Sequence, residues 1–349
     1  MRPAETPADA AGTIYACDFS SWKRPAVRRF FEGANVVFVR SALAVPAGAT
    51  LAVWGRKPIP GPLADSVKLI RLEDGFLRSV GLGADLIRPL SWVGDSRGIY
   101  YDATAPSDLE HLLATTAFSP ELRRRAQSLR ERIVACGLTK YNLGQSSWQR
   151  PNTAQRVLLV PGQVESDASL RYGAPGLRTN LGLLRAVRAA NPQAYLVYKP
   201  HPDVLAGLRA KGAGEAEASA CCDEQVADVG MDAMLAEVDE VHVLTSLAGF
   251  EALLRGKPVT CHGQPFYAGW GLTTDTQPLP RRRRRLNLDE LVAGALLLYP
   301  RYMSRDSGRL ISAEQALDEL LAWRAADGRG VPWWRKLFRV VLRQVVGVR

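Results

Sequence analysis

Histidine and cysteine are scarce in this chain of 349 residues, with four of the first and five of the second. The five cysteines form no Cys-x-x-Cys pair, and Cys221 and Cys222 are adjacent. That pattern excludes a zinc knuckle or a dithiol redox motif and points to reduced thiols in a reducing compartment. His111, His242 and His262 show no ligand-type spacing with one another or with cysteine, so no catalytic metal is expected. No apolar run approaches the roughly 18 residues of a spanning helix. The N-terminus "MRPAETPADAAGTIYACDF" lacks the apolar centre of a signal peptide. These absences predict a cytoplasmic protein. Acidic residues are also in deficit: 45 Lys and Arg stand against 35 Asp and Glu, a net charge of +10. Such a balance predicts an anionic partner, whether nucleic acid, a phosphorylated substrate or a membrane surface.

What is present is an alternation of short Val/Ile/Leu runs with longer helical patterns, the mark of an α/β architecture. Strands are expected at 35–40, 51–55 and 68–72, then a helix over 119–136 opened by Ser119-Pro120. Residues 140–156 are polar and interrupted by Gly144 and Pro151, which suits a linker. The alternation restarts with strands at 157–162, 194–200, 240–246 and 258–263, and helices at 176–190 and 248–256. The expected division is therefore 1–150, 151–325 and a basic tail, 326–349.

Ligands of open α/β sheets gather beyond the carboxyl ends of the strands. Five polar segments occupy that position here. "RLEDG" ends an apolar strand in two acids, Glu73 and Asp74. Burying charge there costs desolvation, so the pair is expected to have a partner or a task. "GQVESDAS" carries Gln163, Glu165, Asp167 and Ser169, without the spacing of a dinucleotide fingerprint. Asp167 suits either a cleft carboxylate or a helix cap. "YKPHPD" holds His201 between Pro200 and Pro202, next to Lys199. The two rings keep the histidine extended, which fits a phosphate contact or a structural turn. "LTSLAGFEALL" sets Thr245 and Ser246 at a helix N-terminus, an anion site or a plain cap. Glu251, one turn further, reaches ribose or base hydroxyls, or solvent. "CHGQPFYAGWGLTTD" offers Tyr267 and Trp270 for stacking on a sugar, or as an interdomain plug. Carboxylates facing each other across a cleft are the equipment of glycosyl transfer.

Together with "VWGRKP", "GIYYDA" and "YNLG", these stretches resemble the capsule polysaccharide β-Kdo transferases, the KpsC/LipA family of retaining CMP-Kdo glycosyltransferases. The resemblance covers about residues 50 to 320. It implies a GT-B-like arrangement of two Rossmann-like domains facing a cleft, with the donor held mainly by the second. It also implies CMP-Kdo as donor substrate, no cofactor, and a lipid-linked oligosaccharide acceptor. Carried onto this chain, His201 and Ser246 would bind the donor phosphate with Lys199 nearby. Glu73 and Asp74 would handle the acceptor proton. Asp167 would be the nucleophile, with Asp74 or Glu165 as alternatives. Gln163, Pro202, Thr245 and Glu251 complete the expected donor site. Well-known members of the family carry two modules. One module resembling the second implies a single linkage and a second Kdo transferase as partner.

The tail "VPWWRKLFRVVLRQVVGVR" sets Trp333, Trp334, Leu337 and Phe338 on one helical face and Arg335, Lys336, Arg339 and Arg343 opposite. That composition fits a helix lying on the inner membrane, or one docked back on the protein. The "RRRRR" run at 281–285 reads as a solvated loop. A nucleic-acid partner is disfavoured, because the basic residues lack interleaved aromatics. The remaining alternatives are a sialyltransferase-like enzyme using another CMP-sugar and a non-catalytic module of capsule export.

Overall fold

The structure, a computed structural model, describes residues 12–79, 89–140, 146–152 and 156–327. In chain order its strands are β1 (Thr13–Cys17), β2 (Asn35–Val39), β3 (Thr50–Trp54), β4 (Lys68–Asp74), β5 (Ser91–Asp95), β6 (Val157–Pro161), β7 (Tyr195–Lys199), β8 (Glu224–Gln225), β9 (Glu240–Val243), β10 (Val259–Cys261), β11 (Thr274–Asp275), β12 (Pro300–Met303) and β13 (Leu310–Ile311). They form two sheets of a mixed α/β protein. One has seven strands in the order β13-β12-β5-β4-β3-β1-β2, the other six in the order β11-β10-β9-β6-β7-β8.

The six-stranded sheet is parallel throughout. Counting its own strands from β6, the order is 3-2-1-4-5-6, the doubly wound arrangement whose ligand crevice opens where the order reverses. That reversal falls between β6 and β9. Burial on both faces explains why β6, "VLLVP", is a continuous apolar run. Leu158, Val160, Leu196 and Tyr198 pack against Leu183, Leu184 and Val187 of the helix Asn180–Ala190. That helix starts four residues later than the sequence suggests, because Thr179 accepts the Gly182 N–H at 3.1 Å and caps it.

In the seven-stranded sheet β2, β1, β3 and β4 are parallel, and β5, β12 and β13 are added antiparallel. Its order reverses between β1 and β3. Phe19, Phe30, Ile70, Leu72 and Trp92 form its main core.

The chain divides into two compact units, but not at residue 150. Of the described residues, one unit comprises 12–78, Pro89–Leu129 and Asp289–Glu319; the other holds those within Arg130–Leu288 and 320–327. The division lies inside the helix Pro120–Ala135. Residues expected to finish the second domain instead supply β12, paired with β5 through Arg301 and Trp92. The described part of the supposed linker is packed: Trp148 is buried and donates to Glu224 at 3.0 Å. Ser146 bridges to Val229. A polar composition conceals one anchoring indole. Among the described residues no helix is long and apolar enough to cross a membrane. The tail 331–349 and "YNLG" lie outside the described residues.

Candidate functional site

A cavity of about 420 Å³ opens in the second unit beyond the carboxyl ends of β6 and β7. Lys199, His201, Pro202, Ser246 and Glu251 line it, with Gly162, Lys140 and Asp228. Each polar group is placed by a local device. Pro200 and Pro202 hold His201 extended at φ −65° and ψ 132°, where it caps the short helix Pro202–Leu205. Its Nδ1 accepts the Asp203 N–H at 3.1 Å, which leaves Nε2 as the N–H of a neutral ring. Ser246 caps the helix Leu247–Leu254, accepting the Ala248 N–H at 3.3 Å. Lys199 ends β7, is buried, and donates to the Ala227 carbonyl at 3.2 Å. Burial pulls its pKa down, and Asp228 partly restores it. Glu251 is buried and accepts the backbone N–H of Lys140. Burial pushes its carboxyl up to about 7, against the opposing pull of that hydrogen bond and of Arg255. An ammonium, an imidazole N–H and a helix N-terminus in one cavity make an anion site.

Gln163 and Thr245 are placed differently: neither lines the cavity. The Gln163 amide accepts the Thr245 N–H at 2.9 Å and donates to its hydroxyl at 3.1 Å. It ties the loop after β6 to the turn after β9, across the reversal of strand order. Asn180, which the sequence did not single out, grips the Gln163 backbone at both N–H and C=O, each at 2.9 Å. Glu165 spends both oxygens on backbone N–H groups, those of Asn180 and Ala213, each at 2.8 Å. Its carboxylate is a clamp, which disfavours it as a nucleophile. Asp167 is exposed and caps the helix Ala168–Gly173 with one oxygen, Oδ1, at 2.8 Å from the Ser169 N–H. Cap and reactive carboxylate are compatible, because Oδ2 is not engaged by described residues.

Tyr267 and Trp270 require correction. Both are fully buried and offer no stacking surface. Tyr267 donates its hydroxyl to the Ser246 carbonyl, bracing the turn from behind, and Trp270 donates to the Phe266 carbonyl at 2.9 Å. The arginine run is not uniformly solvated either. Arg282 is buried and donates to the carbonyls of Pro265 and Ala268, the latter at 2.8 Å. Its guanidinium lies 5.7 Å from the Trp270 ring.

The first unit carries the acid pair. Glu73 and Asp74 end β4 and are half-buried, and Glu73 accepts the Asp74 N–H at 3.1 Å. Asp74 is paired with Arg78. Burial, then the Asp74 charge, push the Glu73 carboxyl up to about 7. Two tyrosines adjoin the pair: Tyr100 donates to the Asp74 carbonyl at 3.3 Å. A Cβ on Gly55, whose φ is +54°, would fall 2.8 Å from the Tyr101 hydroxyl and 3.0 Å from Glu73 Oε2. Lys23 was missed at the sequence level; burial draws its pKa down to about 8 while Asp74 and Glu73 oppose the fall. Its signal was "SSWKRP", a lysine that precedes a helix with proline in its first turn, in the loop after a strand.

Comparison with known proteins places these features in context. The chain matches the family described as "Capsule polysaccharide biosynthesis protein" over residues 63–142 and 128–302. It is 43% identical over 320 residues to the capsule polysaccharide modification protein LipA of Neisseria meningitidis serogroup B, covering 89% of this chain and 46% of LipA. The chain thus spans about half the length of that relative. The lipopolysaccharide-processing protein LpsZ of Rhizobium meliloti is 40% identical over 328 residues, 89% of this chain and 74% of LpsZ. Among solved structures, the β-Kdo 2,7 transferase of Thermosulfurimonas dismutans KpsC superposes with a TM-score of 0.75 at 45% identity, covering 89% of this chain and 99% of that one. The β-Kdo 2,4 transferase of the same protein gives a TM-score of 0.76 at 34% identity, covering 88% and 97%.

Proposed function

The chain belongs to the capsule polysaccharide biosynthesis protein family, and from that premise we propose that it is a retaining glycosyltransferase moving Kdo from CMP-Kdo to a lipid-linked glycan acceptor. The observation that carries this reading is the cavity in the parallel-sheet unit, where Lys199, His201 and the N-terminus of the helix Leu247–Leu254 converge. Its 420 Å³ suits a nucleotide sugar. The similarity to two Kdo transferases supports Kdo as the sugar, and greater identity to the 2,7 enzyme favours that linkage.

In this reading the CMP phosphate sits on the backbone N–H groups beyond Ser246, with the His201 Nε2–H and Lys199 stabilising the charge that develops as CMP leaves. The Asp167 carboxylate attacks the anomeric carbon of Kdo as the bond to phosphate breaks, forming a glycosyl-enzyme ester. An acceptor hydroxyl then displaces Asp167 from the opposite face, which restores the starting configuration. Glu73 takes the hydroxyl proton, a task suited to a carboxyl whose pKa is raised to about 7. That chemistry requires the two α/β units to face one another across the sugar, the GT-B arrangement. The basic segment 331–349 would hold the protein on the inner membrane, where a lipid-linked acceptor resides. A second Kdo transferase would supply the alternate linkage.

The test incubates the protein with CMP-Kdo generated in situ and a synthetic Kdo-terminated lipid, beside Asp167→Ala and a CMP-sialic acid control. Mass spectrometry should find a Kdo-sized increment that disappears in the variant. Transfer from the control donor alone would reassign the donor. Donor binding without hydrolysis or transfer would leave a non-catalytic export module.

A further inference from the structure

Lys23 is a half-buried cation with no direct ion-pair partner among the described residues. Among the described residues its Nζ makes neither hydrogen bond nor ion pair. Its close neighbours are aromatic: the Trp54 ring centroid lies 3.0 Å away and that of Trp22 5.4 Å. Of the other charges nearby, Lys57 repels the Lys23 ammonium, and most of the rest are paired with one another. Asp74 is paired with Arg78, and Arg56 is paired with Asp102 at 3.0 Å. Burial lifts the Glu73 carboxyl to about 7, so it is only partly charged near neutrality. A cation over an aromatic face is held by the negative face of the ring. That offsets only part of the cost of drawing an ammonium out of water.

The position matters as much as the missing partner. Lys23 follows β1 and Trp54 ends β3, and these neighbouring strands flank the reversal of order in the seven-stranded sheet. That reversal is where an open α/β sheet takes its ligand. Next to β3, β4 ends in Glu73 and Asp74. Gly55 follows Trp54 in a left-handed conformation that keeps the backbone close to the Glu73 carboxylate.

We propose that Lys23, held over Trp54 at the carboxyl ends of β1 and β3, binds an anionic group of the acceptor and so presents the acceptor hydroxyl to Glu73. The inference rests on the reading above in which Glu73 receives the acceptor proton. The ligand chemistry is a carboxylate or a phosphate ester on the acceptor. Trp54 keeps the side chain from dispersing into solvent, so that pairing requires a small swing rather than full ordering. Binding then supplies a direct ion-pair partner, where Asp74 and Glu73 act on Lys23 only through longer-range attraction.

The experiment reads binding rather than turnover, using the full chain. A synthetic acceptor ending in an acidic sugar, its carboxyl methyl ester and inorganic phosphate are titrated calorimetrically into wild type, Lys23→Met and Lys23→Arg. Thermal melting first establishes that the variants are folded, and Lys23→Arg serves as the conservative rescue. If the anion is the sugar carboxylate, the acid binds wild type about tenfold more tightly than the ester. Lys23→Met then brings the acid to the level of the ester, and Lys23→Arg recovers most of the difference. If the anion is a phosphate, acid and ester bind alike, both weaken in Lys23→Met, and inorganic phosphate competes with both. Equal binding of every ligand to wild type and Lys23→Met overturns the inference. Failure of the transferase reading has a separate signature, an absence of CMP-Kdo turnover by wild type while the Lys23-dependent difference in binding persists.

Discussion

In the proposed reaction, with Glu73 as the base, this residue sets the expected pH dependence. Its carboxyl, lifted to about 7 by burial and by Asp74, must lose a proton before it can accept one. Turnover should therefore rise with pH through about 7 and then level. Glu73→Gln should abolish that limb and lower kcat by roughly 10²–10⁴-fold; a pH profile of initial rates decides. Stability runs the other way. A raised carboxyl favours the folded state most below its ordinary value, and that contribution is lost as pH rises through about 7. Urea midpoints above neutrality should accordingly be no lower for Glu73→Gln than for wild type. Gln163 makes the opposite case, a side chain that reads as a ligand contact and acts as a brace. Gln163→Ala should strand the Thr245 N–H and cost about 1–3 kcal/mol, measured by urea denaturation without donor. At this scale the cavity residues Lys199, His201 and Ser246 were legible because each is marked locally, by flanking prolines or by a strand end running into a helix. Tyr267 and Trp270 were not. A Gly-rich aromatic stretch has the same composition whether it stacks on sugar or fills the interior, and burial is set by what packs over it.

Among the elements, the parallel strands of the second unit were readable because burial on both faces forces unbroken apolar runs, as in β6 and β7. β5, "SWVGD", was not readable. Its glycine exists for packing, since a Cβ on Gly94 would meet the Phe30 ring at 2.9 Å. Its terminal acid, Asp95, is buried among backbone N–H groups of Arg97, Gly98 and Asp108 and the Tyr299 hydroxyl. Neither feature resembles a strand in sequence. The 264–272 loop shows the same dependence on distant residues, because its carbonyls are closed by Arg282 from further along the chain. Arg282→Met should leave those carbonyls short of donors and lower stability by about 1–3 kcal/mol. Amide exchange in the loop should accelerate with it. Arg283, an exposed neighbour that among the described residues donates only to the nearby Pro280 carbonyl at 3.3 Å, is the control. Arg283→Met should stay within about 0.5 kcal/mol of wild type.

The whole molecule is organised by a chain that leaves its first unit and returns. Sequence alternation suggests two consecutive domains, because each half contains its own strand–helix repeats and a polar stretch lies between them. It does not reveal that residues 289–319 join the first half, since partners as distant in the chain as Val93 and Pro300 leave no local periodicity. The returning segment is extensively bonded. Tyr299 donates to the buried Asp95 carboxylate at 2.8 Å, and Arg301 to the Phe30 carbonyl at 3.0 Å. Met303 donates its N–H to the Leu90 carbonyl at 2.7 Å. Glu314 accepts two hydrogen bonds from Arg125, at 2.7 and 3.0 Å, which hold its carboxyl down at about 2. Without this segment, β5 becomes an unpaired edge and Asp95 loses a donor in the interior. A fragment of residues 1–150 should therefore fail to unfold cooperatively in urea and should aggregate. Residues 1–129 joined by a flexible linker to 289–319 should regain a sigmoidal transition. Cooperative unfolding of the shorter fragment would mean that the β12 pairing decorates the first unit rather than completing it.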